Sequence, residues 1–223
     1  MISLVVLDMA GTTIDEHGDV YRALSDCVTE TGATVMPEDL QAWMGADKIE
    51  AITALLKRGG GDSGESVVSA CFDRFRELLR RFYAENPPVA LPGVEAALRE
   101  FKRRGIRVAL TTGFSRDVAE PLLDQLGWRI GSNEFLDTVV CADEVAAGRP
   151  APYMIHRAME RTGVLSVSEV CSAGDTVVDV QAATNAGAAM AVGVLTGKLN
   201  REDFEAQPHT HIIDGVTVLP ALI

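Results

Sequence analysis

The run Ile2-Ser3-Leu4-Val5-Val6-Leu7-Asp8-Met9-Ala10-Gly11-Thr12-Thr13 is apolar up to a carboxylate and then turns small and polar. Leu4 to Leu7 is unbroken, and β-branched Val5 and Val6 at its centre favour a strand covered on both faces of a parallel sheet. The residue that stops the run is an acid, and Gly11 after it permits a tight turn. In an open α/β sheet, ligands bind beyond the carboxyl ends of the strands, so Asp8 stands where chemistry is expected. Taken alone, an aspartate that caps the next helix explains the pattern equally well.

The remaining chain decides between these readings. Its 223 residues suffice for one large domain, or for a core domain with a smaller one, and a hydrophobic fraction of 47% permits a full core. A net charge of −12 argues against nucleic acid or an anionic membrane surface as partner, while leaving room for a small anionic substrate in a locally positive site. No apolar stretch approaches the ~20 residues of a membrane span. No basic region precedes the first apolar run, so no secretory signal is predicted. Cys27, Cys71, Cys141 and Cys171 are scattered without paired metal spacing, which predicts buried free thiols in a reducing cytoplasm.

After Asp15-Glu16-His17-Gly18-Asp19 the chain reads as helical as far as Pro88. Helices are predicted from Val20 to about Gly32, from Pro37 to near Trp43-Met44-Gly45, from Ala46 to Leu56 and from Ser66 to Glu85, with no strand signal among them. Asn86-Pro87-Pro88-Val89-Ala90-Leu91-Pro92-Gly93 rules out helix continuation and predicts a hinge. Beyond it helix and strand alternate. Strands are predicted at Ile106–Leu110, Leu136–Val140, Glu169–Ala173, Ala189–Leu195 and His211–Ile213. This alternation predicts a Rossmann-like, doubly wound α/β fold with a parallel sheet. Residues 1–14 and 92–223 would form it, and residues 15–91 an all-helical insertion after the first strand.

Three strand ends thereby present polar groups at one edge: Asp8, Thr111-Thr112-Gly113, and Gly174-Asp175-Thr176-Val177-Val178-Asp179. Carboxylates brought together there repel unless a hard cation neutralises them, and such oxygen donors suit magnesium. Helix capping is the alternative role for Asp175 and Asp179. Thr112 and its neighbouring amides could hold phosphate oxygens, but an isolated Thr-Thr-Gly reads first as a strand-end turn.

These motifs, with Gly148-Arg149-Pro150, occur in the order and spacing that resembles the haloacid dehalogenase superfamily with a helical cap. Asp-x-Ala-Gly-Thr, Arg149 where most relatives have lysine, and Met44-Gly45-x-x-Lys48 resemble more narrowly its phosphonatase branch. The resemblance implies Asp8 as the nucleophile that becomes an aspartyl-phosphate. It implies Mg²⁺ held by Asp8, the Ala10 carbonyl and Asp175, with support from Asp179. Thr112 and Arg149 would hold phosphoryl oxygens, with Gly11, Thr12, Thr111 and Gly113 lining the substrate site from the core and Met44 and Gly45 from the cap. A homodimer through the cap and a cap that opens and closes are further implications.

Ala10 replaces the aspartate that protonates an alkoxide leaving group in the wider superfamily. Cleaving a C–P bond poses a different demand, stabilisation of a carbanion, and a Schiff base on Lys48 would provide the electron sink. The phosphonatase branch places a histidine and a tyrosine where this chain has Ala51 and Phe114, which leaves activation of the amine unexplained. Two alternatives therefore stand beside a phosphonate hydrolase: a phosphatase of small phosphomonoesters, and a non-catalytic binding protein on the same scaffold.

Overall fold

The computed structural model describes residues 1–131 and 134–223. The chain falls into two compact units, one of residues Met1–Asp15 with Val89–Ile223 and one of Glu16–Pro88. The first contains β1 (Leu4–Asp8) and β2 (Ile14–Asp15), and the second α1 (Asp19–Thr29), α2 (Pro37–Ala42), α3 (Lys48–Arg58) and α4 (Glu65–Glu85). The chain then returns through β3 (Val89–Ala90), α5 (Val94–Arg103), β4 (Arg107–Thr112), α6 (Arg116–Gln125) and β5 (Thr138–Cys141). It continues through α7 (Tyr153–Thr162), β6 (Val170–Gly174), α8 (Val177–Ala186), β7 (Met190–Val194), α9 (Arg201–Glu205), β8 (His211–Ile213) and α10 (Leu219–Leu222).

Six strands form one parallel sheet in the order β5-β4-β1-β6-β7-β8, with β1 between β4 and β6. This is the expected α/β class. Leu4, Val5, Val6 and Leu7 are wholly buried, each contributing ~1.5–3 kcal/mol relative to exposure. Leu4 and Val6 pack into one cluster with Met154, Ile155, Ala158 and Met159 of α7 and Val180, Ala182 and Ala183 of α8. Val5 and Leu7, on the opposite face of the pleat, are equally covered. That double burial explains the unbroken apolar run. By the same alternation, Asp8 belongs to the face that carries Leu4 and Val6.

In the helical unit, α1 and α4 pack together, burying Val20, Leu24, Cys27 and Val28 on α1 and Cys71, Phe75, Leu78, Leu79 and Phe82 on α4. All four cysteines are free and buried. The helix expected from Ala46 begins at Lys48 instead. Asp47 is its N-cap, its side chain accepting from the Ile49 and Glu50 amides at 2.9 and 3.0 Å. The preceding helix stops at Ala42, before the left-handed Gly45 (φ 75°).

Two elements differ from expectation. Ile14–Asp15 and Val89–Ala90 pair as a short antiparallel ribbon, Ile14 opposite Ala90 and Asp15 opposite Val89, where only a turn and a hinge were expected. Two residues are too few to show an alternating pattern. After Lys198 the chain forms α9, capped by Asn200, whose side chain accepts from the Glu202 and Asp203 amides. Among the described residues, no helix is long and apolar enough to cross a membrane.

Candidate active site

The sheet register brings the strand ends together. Asp8 lies opposite Thr111 of β4, and on the other side Leu7 lies opposite Ala173 of β6, one residue before Gly174-Asp175. Asp8, Asp175 and Asp179 are buried and offer carboxylate oxygens within 4.8 Å of one another. The Arg149 guanidinium donates through one Nη to Asp8 Oδ1 at 2.7 Å and through the other to Asp179 Oδ1. A single cation thus bridges the acid that ends β1 and the acid in the first turn of α8.

Each carboxylate is held by its own local chemistry. The Thr12 hydroxyl donates to Asp175 Oδ1 at 2.8 Å. Asp179 Oδ2 accepts from the Thr176 amide at 3.0 Å and from the Thr176 hydroxyl, closing a capping box at the start of α8. Asp179 therefore both caps a helix and joins the acidic cluster. The Asp8 carbonyl accepts from the Thr13 hydroxyl at 2.9 Å, and the amides of Thr12, Thr13 and Ile14 all turn onto the Met9 carbonyl. That loop passes through Gly11 at φ 88°, where a Cβ would lie 2.7 Å from Asp175 Cγ.

Fully ionised, three carboxylates against one guanidinium would leave two negative charges in a buried site. Burial and the neighbouring Asp8 charge push the Asp175 carboxyl up to about 7, against the opposing effects of the Thr12 hydroxyl and Arg149. A group so perturbed gains when a cation arrives. The hard oxygen donors and the uncompensated charge fit a divalent ion of the magnesium type, with Asp8, Asp175 and Asp179 as the side chains that would hold it.

Of the other expected site residues, Thr112 is buried at the end of β4, its hydroxyl accepting from the Phe114 amide at 3.2 Å. Thr111 is buried beside it, and Gly113 follows immediately. Ala10 and Gly11 lie in the loop after β1, where Ala10 forms an isolated bridge with Ile14. Lys48, Met44 and Gly45 belong to the helical unit. There Lys48 is buried at the first position of α3, Nζ donating to the Ala46 carbonyl at 2.7 Å, and Met44 is buried just before it.

The sequence reading missed Thr196 and Gly197. The Thr196 hydroxyl donates to the Gly11 carbonyl at 2.6 Å, and a Cβ on Gly197 would lie 2.7 Å from Asp175 Cγ. They follow the end of β7, and a small polar pair there is the same signal that marked the other strand ends.

Comparison with known proteins agrees with this geometry. The family model described as haloacid dehalogenase-like hydrolase matches residues 2–187. A phosphonoacetaldehyde hydrolase of Bacillus cereus is 30% identical over 213 residues, covering 88% of this chain and 76% of the relative. One of Parabacteroides distasonis is 26% identical, covering 93% and 83%. In fold, the chain is similar to the crystal structure of a phosphonoacetaldehyde hydrolase-like protein from Oleispira antarctica, with a TM-score of 0.83 and 23% identity, covering 99% of this chain and 91% of that one. The chain belongs to the haloacid dehalogenase-like hydrolases, on their phosphonatase-like branch, and is an enzyme.

Proposed function

We propose that the enzyme is a Mg²⁺-dependent hydrolase that cleaves the C–P bond of a small phosphonate, phosphonoacetaldehyde or a close relative, through an aspartyl-phosphate on Asp8. The observation that carries this reading is the buried Asp8–Asp175–Asp179 cluster bridged by Arg149. Phosphoryl transfer needs an in-line nucleophile and neutralisation of spreading negative charge. Asp8 supplies the first. When bound, the cation neutralises charge on the phosphoryl oxygens. Arg149, once released from Asp8 Oδ1, offers them the planar fork of its guanidinium, and Thr112 offers a hydroxyl.

The choice of a phosphonate follows from Ala10 and Lys48. With Ala10 there is no carboxylic acid two residues beyond the nucleophile to protonate an alkoxide. In the proposed route, Lys48 condenses with the substrate aldehyde to give an iminium and water. Asp8 attacks phosphorus, the C–P bond breaks, and its electron pair moves into the iminium to form an enamine. Water hydrolyses the aspartyl-phosphate to phosphate. Protonation of the enamine at carbon and hydrolysis of the resulting iminium release acetaldehyde and restore the amine.

Borohydride trapping tests the scheme. Incubation with phosphonoacetaldehyde and reductant is expected to add a reduced two-carbon adduct at Lys48, read by peptide mass; turnover without any adduct on Lys48 excludes the imine. Ala51 and Phe114, which stand where the branch has histidine and tyrosine, favour the second reading, a phosphatase of a small phosphomonoester. Efficient phosphate release from sugar phosphates with none from phosphonates would select it.

A further inference from the structure

Both Nη groups of Arg149 are engaged by Asp8 and Asp179, but its Nε–H is buried and has no hydrogen-bond partner among the described residues. Leaving such a donor unpaired is unfavourable, and more so for a charged group. Arg149 lines a small cavity together with Thr111, Ser172, Asp179, Met154 and Ala182. The space open to water centres is about 10 Å³, the size for one molecule.

The register explains why hydroxyls line it. Ser172 of β6 lies opposite Val6, and Thr111 of β4 lies opposite Asp8, so both point to the face of the sheet that carries Asp8. Ser172 is also the lone hydroxyl in Val170-Cys171-Ser172-Ala173-Gly174, a strand buried throughout. Neither the Thr111 nor the Ser172 side chain makes a hydrogen bond to a described residue. A water needs two to four polar partners, and Arg149, Thr111 and Ser172 all line a space of its size.

We propose that Thr111 and Ser172 hold one buried water against Arg149 Nε, and that Ser172 is thereby a positioning residue that fixes the plane of the guanidinium. The water accepts from Nε–H and donates to the two hydroxyl oxygens. The guanidinium then has a partner on its inner edge, and its Nη groups stay aimed at the carboxylate cluster when a phosphoryl group replaces Asp8 as one of their partners. The kinetic consequence rests on the proposed phosphoryl-binding role of Arg149; the water itself does not.

An atomic-resolution crystal structure of the wild-type enzyme is expected to show density within hydrogen-bond distance of Arg149 Nε, Thr111 and Ser172. The absence of that density overturns the proposal whether or not the enzyme cleaves phosphonates. In a double-mutant cycle, Ser172→Val, which fills the space with methyl groups, is expected to lower kcat for phosphonoacetaldehyde about tenfold with KM changed less than about twofold. Ser172→Thr, which keeps the hydroxyl, restores most of the rate. In an Arg149→Lys background the same Ser172→Val change has no further effect. Full additivity of the two substitutions would sink the positioning role. If Ser172→Val does not fold, Ser172→Ala carries the same comparison with a smaller side chain. A wild type that turns over phosphomonoesters alone removes the proposed function but leaves the density and the cycle, measured on that substrate, to decide this inference.

Discussion

Asp8 and Lys48 are both charged, buried residues at element ends, yet their surroundings are built on different principles. Asp8 ends a central strand, and its site is tied together by bonds between residues far apart in the chain. Thr12 reaches Asp175, Thr196 reaches the Gly11 carbonyl, and Arg149 spans Asp8 and Asp179. Lys48 opens a helix beside its Asp47 cap, and its Nζ donates to the Ala46 carbonyl two residues back. The geometry at Asp8 is a property of the whole sheet and cannot drift without disturbing the fold. Lys48 is buried at the start of a helix in the other unit, outside the sheet's own strands. In the proposed scheme the strand ends carry the phosphoryl chemistry, and Lys48 sets the choice of leaving group.

The sharpest break of this contrast is Asp8→Asn. It is expected to lower turnover of every substrate, phosphonate or phosphomonoester, by on the order of 10⁴-fold or more, since the nucleophile serves both. Activity within tenfold of wild type would mean that Asp8 is not the phosphoryl acceptor. Lys48→Arg comes next. It keeps the charge but cannot form an imine, and should reduce phosphonate cleavage by about 10³-fold while changing the ratio of phosphonate to phosphomonoester turnover. Equal loss on both substrates would place Lys48 in general binding, and so erase the distinction.

A smaller effect concerns pH and metal. The Asp175 carboxyl is raised in the folded state from 3.8 to about 7, so the folded metal-free protein holds a proton that the unfolded chain has released. This contribution to stability is fully present below about pH 4 and is lost as pH rises to about 7. In EDTA, the melting temperature is expected to fall by about 5 °C between pH 5 and pH 8, and Mg²⁺ should restore it, most strongly at the higher pH. A metal-induced shift independent of pH would show that Asp175 does not exchange its proton for the cation.

Much of this arrangement was legible from the sequence because each strand announces its own end. Leu4 to Leu7 stops at Asp8, β4 stops at Thr111-Thr112, and β6 stops at Gly174-Asp175; a buried apolar run cannot absorb such residues, so they mark where the sheet meets solvent or ligand. The double role of Asp179 was not legible, because capping and ion binding ask for the same residue at the same place. Nor was the pairing of Arg149 with two acids, which depends on how α7 and α8 pack on one face of the sheet. Thr196 and Gly197 were passed over because a Thr-Gly pair after a strand reads equally well as a plain turn. Their part is steric and main-chain: Gly197 leaves room for the Asp175 side chain, and Thr196 fixes the Gly11 carbonyl.

The paired strands β2 and β3 have a consequence for how such a chain can change over time. Ile14 and Asp15 lie directly across from Ala90 and Val89, and the Leu91 amide donates to the Thr13 carbonyl at 3.0 Å. The points where the chain leaves the sheet unit and returns to it are therefore side by side. Everything between them could be exchanged for a different set of helices, or trimmed to a hairpin turn, without moving a strand of the sheet. The ribbon is a socket: it lets the same sheet unit be fitted with a new module as a single insertion.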